Sequence, residues 1–353
     1  MRSSMFLGML CLILLVPCVS WASDSNEVYN LTMATFWPST DFQVQEGHKK
    51  WIEEVEERSN GRIQIDFHPG EALLGAKEIY NGVVDGVADI GTTCPSYTSG
   101  MFPLTEAFEL PGYKNVNATA ASMTFHEGYK EIKDKLGIDE FEEVKVLTLW
   151  ATGPGHLMTR KEPVHNLDDL SDKEIRAVGG TVPPLKKLGA KTHALPMSES
   201  YLALDQGIVD GILGPTDILK GFKLAEVVDY ATETPDLYNV VFMKVMNQET
   251  WNSLPQDLQQ IIQEVSEEYA LKYGKLRAEY TTQGLKYAKQ EHDLQEIQLD
   301  PEEEQKWLER IQPVVEEWIQ EKEEDGLPAK EVVEIVEELD AEYSQKYGQE
   351  QAE

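Results

Sequence analysis

At 353 residues with 63 acidic against 31 basic side chains, a formal charge of −32, the chain can bury two cores but offers no basic face to nucleic acid or an anionic membrane. An anionic ligand would need a local cationic anchor against that background. Two of the three cysteines lie within the first twenty-two residues, which leaves Cys94 without an intramolecular disulfide partner, so packing alone must hold the fold.

Residues 1–22 read as a signal peptide: basic Arg2, the apolar run Met5 to Val16, then Ser20-Trp21-Ala22 as a small-x-small cleavage site. The run is too short to span a bilayer comfortably. The expectation is a cleaved, exported, periplasmic protein with no stable membrane insertion. Next, Tyr29 to Ala34 alternates as a strand. Ser39-Thr40-Asp41 caps a helix with Val44, His48, Trp51 and Val55 on its apolar face and Asn60-Gly61 as its stop. Ile63, Ile65 and Phe67 make a second strand, a short helix covers Ala76 to Val84, and Ala88-Asp89-Ile90 is a third strand. That β-α-β-α-β order is the pattern of a parallel sheet flanked by helices.

The order recurs. Ile175 to Val178 is a strand, Thr181, Pro183 and Pro184 open a helix that stops at Gly189, Thr192 to Leu195 is a strand, Ser198 to Gln206 a helix and Ile208 to Leu213 a strand. Gly86-Val87-Ala88-Asp89-Ile90 echoes Gly207-Ile208-Val209-Asp210-Gly211, which favours two similar lobes. Two β-rich runs, Val144 to Trp150 and Tyr238 to Met246, read as hinge strands between them. Pro255 to Glu291 has helical periodicity and would reach roughly 50 Å, enough to brace both lobes; Gly274 and Gly284 are its weak points. Leu294 to Leu299 adds a strand. Asp300, Pro301 and Glu303 start a helix with Trp307, Ile311, Val314 and Trp318 inward. A final helix through Val332, Ile335, Val336 and Leu339 precedes a tail that frays after Tyr347. The expected fold is α/β and two-lobed, each lobe a mixed, mostly parallel sheet flanked by helices, joined by hinge strands and a long helix. Lobe I takes 27–150, with 240–280 returning to it; lobe II takes 151–239, with 281–353 packing on it.

Ligands of open parallel sheets bind beyond the carboxyl ends of the strands, here Phe36-Trp37, Thr92-Thr93, Arg176 to Gly180 and Leu213-Gly214. Two facing lobes bring these ends to one cleft, with Arg176 in it. Its planar fork of donors matches a carboxylate bidentately. His126-Glu127 lacks a second histidine at zinc spacing and the seven histidines do not cluster, so no metal site is expected. No Gly-x-Ser-x-Gly or phosphate-cradling motif occurs, so neither a catalytic group nor a cofactor is expected. Glu199 and Asp210 read as caps or ion-pair partners, and Cys94 as a small buried residue.

Several ordered segments carry a resemblance: Leu157-Met158-Thr159-Arg160-Lys161-Glu162-Pro163-Val164, Asp168-Asp169-Leu170, Glu174-Ile175-Arg176-Ala177-Val178, Lys187-Leu188-Gly189-Ala190, Ser198 to Leu204, and Gly207 to Gly211. Their order and spacing resemble the substrate-binding proteins of tripartite ATP-independent periplasmic (TRAP) transporters, over nearly all of the mature chain. The resemblance implies a periplasmic solute-binding fold that closes by a hinge on a small organic acid. It also implies delivery to the transporter's membrane subunits, driven by an ion gradient and without nucleotide. Arg176 stands where the family's arginine binds the solute carboxylate. Arg160 matches a second family arginine, although Thr159-Arg160-Lys161-Glu162-Pro163 departs from the family's N-R-P. Members that bind sialic acid or dicarboxylates read V-D-G-x-x-N-P, whereas this chain reads Val209-Asp210-Gly211-Ile212-Leu213-Gly214-Pro215, so Gly214 replaces an asparagine that bonds polar solute groups. Gly180 is also small. Phe36, Trp37, Tyr97, Trp150 and Met197 fall at or near positions that line the family's pocket. The expected solute is therefore an aromatic or branched monocarboxylate. Two readings from other classes stay open: an exported enzyme acting on a carboxylated substrate, which turnover would reveal, and the ligand-binding module of a sensor.

Overall fold

The computed structural model describes residues 27–348; the signal peptide expected at 1–22 and the last residues of the tail lie outside them. In chain order come β1 (Tyr29–Thr35), β2 (Ile63–His68), β3 (Ile90–Thr93) and β4 (Val144–Ala151), then β5 (His156–Thr159), β6 (Glu174–Arg176), β7 (Lys191–His193), β8 (Gly211–Gly214) and β9 (Tyr230–Glu233). The chain then returns through β10 (Val241–Asn247), runs the helix Gln256–Glu291 and adds β11 (Gln295–Ile297). Pairing sorts these into two sheets, β2-β1-β3-β10-β4 and β11-β9-β5-β8-β6-β7. In each sheet one strand, β10 or β5, is antiparallel to both neighbours, and the remaining pairs are parallel. The α/β pattern of two mixed, mostly parallel sheets flanked by helices is the one expected.

The sequence echo between the halves has a physical counterpart. Asp89 Oδ2 accepts from the Thr32 N–H of β1 at 2.7 Å, and Asp210 Oδ2 from the Glu174 N–H of β6 at 2.9 Å. In both lobes an aspartate just ahead of one strand satisfies an amide on its parallel neighbour. Asp210 thus caps a strand amide, one of the two roles read for it from the sequence.

Three expectations are corrected. Val144–Ala151 and Val241–Asn247 are not hinges: they pair with each other inside the first sheet, and residues 152–155 and 234–240 make the crossings. Asn239 ties these together, its Oδ1 accepting from the Gly153 N–H at 3.1 Å and its Nδ2 donating to the Phe108 carbonyl at 2.8 Å. The long helix Gln256–Glu291, hereafter the brace helix, runs unbroken for 36 residues. Its glycines are points of close approach: a Cβ at Gly274 would lie 2.9 Å from Thr119 Cα, and one at Gly284 would lie 2.8 Å from Asp217 Cα. The brace is therefore fastened to both lobes.

The third correction concerns the C-terminus. A helix the sequence reading did not single out, Ala118–Leu136, is capped by Asn117 and closed by Gly137 at φ 69°. The last helix, Ala329–Tyr347, packs on it rather than on the second lobe. Asp340 accepts from the Lys114 and Asn115 N–H groups at 2.8 and 2.9 Å, and Asn117 Nδ2 donates to the Tyr347 carbonyl at 2.9 Å. Val332, Val336 and Leu339 cover Phe108 and Phe125, which the first lobe would otherwise expose. The segment before the last helix does pack on the second lobe: β11 pairs with β9, the helix Pro301–Ile311 packs against Val182–Lys187, and Glu317 of the next helix pairs with Lys187.

Candidate functional site

Where the carboxyl ends of β1, β3, β6 and β8 face each other, a cavity forms between the lobes, and Arg176 enters it from the end of β6. Its side chain is 1% exposed. Nε donates to the Leu195 carbonyl at 2.8 Å and Nη2 to the Tyr97 hydroxyl at 3.4 Å. No carboxylate pairs with it among the described residues. A buried cation is ordinarily paired, because removing its hydration costs several kcal/mol. Here the remaining N–H groups are offered to whatever enters the cavity.

The hydroxyl of Tyr97 also accepts from the Met197 N–H at 3.0 Å, so one first-lobe phenol bonds two groups of the second lobe. Burial pushes that phenol up to about 12 although Arg176 pulls it down, so it stays protonated. Phe36 and Trp37, the two residues after β1, stack at 4.0 Å between centroids, and Tyr97 meets Phe36 edge-on at 5.4 Å. Met197, Phe222, Tyr238 and Phe242 complete a mainly apolar wall. A rigid box of rings suits a flat apolar body, since aromatic pairs gain about 0.5–1.5 kcal/mol beyond their buried area.

Glu109 closes the site from behind. Its buried carboxylate accepts from Ser96 Oγ at 2.7 Å, the Val241 N–H at 3.1 Å and, across the cleft, the Gly180 N–H at 3.0 Å. A Cβ at Gly180 would lie 2.8 Å from Glu109 Cβ, and one at Gly179, whose φ is +55°, would overlap Glu109 Oε2. Both glycines are therefore needed for the lobes to meet here. Burial, opposed by those hydrogen bonds, pushes the Glu109 carboxyl up from 4.5 to about 7. Burial and then Asp217 push Asp41 from 3.8 to about 7 as well. A carboxyl raised on folding contributes stability that is full below its ordinary value and lost as pH climbs through the folded one. Thermal melts are expected to fall from about pH 5 to about pH 8, and Glu109→Gln to flatten that slope; a pH series of melts on both proteins checks it.

Of the eight residues singled out from sequence, the structure brings Phe36, Trp37, Tyr97, Arg176 and Met197 to one cavity. The other three stand elsewhere. Arg160 turns away, its Nη2 donating to the Asp205 carbonyl at 3.1 Å. Trp150 is fully buried behind Trp37, centroids 6.1 Å apart, and stacks on Tyr273 at 4.5 Å. The space beside Gly214 is already filled, because Ile218 Cδ1 would be 2.8 Å from a Cβ there; Gly180 likewise serves lobe contact rather than room for solute. Sequence reasoning missed Glu109 and Arg277. The signals were present: Glu109 interrupts the apolar run Ala107-Phe108-Glu109-Leu110, and Arg277 falls on the stripe of Tyr269 and Tyr273.

Two hinged lobes over a cavity that holds a buried guanidinium are the architecture of a solute-binding protein. The chain belongs to the bacterial extracellular solute-binding proteins, family 7, whose model matches residues 33–322. It is similar to a TRAP periplasmic solute-binding protein of Desulfovibrio salexigens, with 35% identity over 90% of this chain and 97% of that one and a TM-score of 0.75. It is also similar to a TRAP solute-binding protein of Rhodoferax ferrireducens found with copurified benzoate, at 28% identity, 90% and 99% coverage and a TM-score of 0.84. A third likeness is a marine metagenome TRAP solute-binding protein specific for aromatic acid ligands and complexed with 3-hydroxybenzoate, at 26% identity, 90% and 99% coverage and a TM-score of 0.84. TRAP binding proteins take small organic acids and work with membrane permease subunits. Among the described residues no helix is long and apolar enough to cross a membrane.

Proposed function

We propose that this protein captures an aromatic or branched monocarboxylate in the periplasm, after export by the 1–22 signal peptide, and hands it to a TRAP permease. Arg176 takes the carboxylate, Tyr97 donates its remaining proton to it, and Phe36, Trp37 and Met197 pack on the solute body. Trp150 holds Trp37 from behind, and Arg160 has no part in binding. The single observation that carries this reading is the buried charge of Arg176, unpaired among the described residues and set in a wall of rings. The benzoate and 3-hydroxybenzoate of the Rhodoferax and marine metagenome proteins support the same class. The protein binds and releases the acid without transforming it, and no cofactor takes part.

A thermal-shift screen of benzoate, hydroxybenzoates, mandelate and branched 2-oxo acids against succinate and sialic acid tests it. A bound acid at a hundred times its dissociation constant adds about 2.7 kcal/mol, which a melt resolves easily. Tight binding of succinate or sialic acid, with none of the aromatic or branched acids, would sink the proposal.

A further inference from the structure

The cavity has a second guanidinium, and its electrostatics are the reverse of the first. Arg277 projects from the brace helix one turn beyond Tyr273, is 3% exposed and lines the same cavity as Arg176. The two arginines thus enter from different walls, one from the second sheet and one from the brace. The phenol of Tyr238, also on the wall, feels the field of both.

Unlike Arg176, Arg277 has its charge matched. Its Nη1 lies 3.1 Å from Asp217 Oδ2, with both side chains buried. That contact does not have hydrogen-bond geometry, so Asp217 Oδ2 is left without a hydrogen-bond partner, and Arg277 Nε has none either. Buried polar groups ordinarily have such a partner. The guanidinium carbon sits 4.9 Å from the Phe242 ring centroid and 5.7 Å from that of Phe42, which fixes its plane. Asp41 is a further buried acid close enough to feel Arg277. The site therefore has donor capacity to spare and no spare positive charge.

We propose that Arg277 reads an uncharged oxygen on the solute, a hydroxyl or carbonyl, while Arg176 holds the carboxylate. The solute is then a hydroxy- or oxo-substituted aromatic monocarboxylate. This inference rests on the reading of Arg176 given above. Charge decides the kind of group: a second carboxylate would meet Asp217 and Asp41 beside a guanidinium already neutralised, whereas a neutral oxygen takes the free N–H without adding charge.

Isothermal titration calorimetry on the wild-type protein with benzoate, 3-hydroxybenzoate, 4-hydroxybenzoate and terephthalate tests this without any substitution. One hydroxybenzoate should bind about tenfold or more tighter than benzoate, the worth of one hydrogen bond to a charged donor, and terephthalate should bind more weakly than benzoate. In the double variant Arg277→Met with Asp217→Asn, which removes both members of the pair so that neither is left buried alone, the hydroxybenzoate and benzoate should bind alike. The inference is overturned if benzoate matches or beats both hydroxy acids, if terephthalate is the tightest, or if the preference survives in the double variant. Benzoate binding with no hydroxyl preference would leave the reading of Arg176 standing. Failure of every acid to bind would remove that reading and this inference together.

Discussion

Arg176→Met is expected to abolish acid binding while leaving the solute-free protein at least as stable as wild type. Two charge-assisted hydrogen bonds to a carboxylate contribute about 3–6 kcal/mol, so affinity should drop by at least about 100-fold. The stability half follows from the absence of an acid partner among the described residues for a side chain that is 1% exposed. Replacing an uncompensated buried cation with an apolar chain of similar length removes a desolvation penalty, at the cost of the donor to the Leu195 carbonyl. Melts of both proteins with and without benzoate check the two halves at once. A large loss of solute-free stability would show that Arg176 is a structural residue. Arg176→Lys should rescue little, because an ammonium cannot present two parallel donors.

Gly180→Val is expected to weaken binding about 100-fold without touching a ligand contact. The new side chain would have to enter space held by Glu109, whose Cβ would be 2.8 Å and carbonyl carbon 3.0 Å from position 180's Cβ. Overpacking of that kind costs about 1–3 kcal/mol, and the Gly180 N–H bond to the Glu109 carboxylate is lost with it, a further ~1.5 kcal/mol or more. Both penalties fall on the closed form alone, so the lobes stay folded and the equilibrium shifts towards open. Small-angle scattering should show a radius of gyration that contracts on adding acid in wild type and stays at its solute-free value in the variant. Contraction in both would refute the assignment of this contact to closure.

The architecture was legible because strand patterning and helix punctuation are local signals. The repeated β-α-β order, with the echo of 86–90 in 207–211, foretold both sheets, and the periodicity from Pro255 gave the brace nearly to its ends. What escaped was set by contacts distant in sequence. Ala118–Leu136 has weak apolar contrast because three of its sides are covered, by the brace helix, the last helix and β4; its only outward marks were Asn117 and Gly137. The placement of the last helix depends on which lobe has uncovered rings, and nothing in residues 329–347 states that. Within the site, Arg176 and the rings after β1 followed from strand order. The orientation of Arg160 did not, since it lies just past the end of β5, where strand alternation no longer fixes its direction and its side chain turns to the Asp205 carbonyl. The glycines at 180 and 214 were read as room for a solute, but one receives Glu109 and the other Ile218. A missing side chain in a sequence does not say what fills its place.

The brace helix meets the first lobe at Gly274 and at Tyr280, which stacks on Phe42, and the second at Arg277 and Gly284, so the fastenings to the two lobes interleave along about 15 Å of helix. Separation of the lobes cannot pass by this span. The span must curve, and a helix curves by lengthening the carbonyl hydrogen bonds on its convex side. It acts as a leaf spring gripped by both lobes, with Arg277 as one of the grips. Parting the lobes therefore strains this doubly gripped stretch, and the angle between them depends on its stiffness as well as on the loops that cross between them.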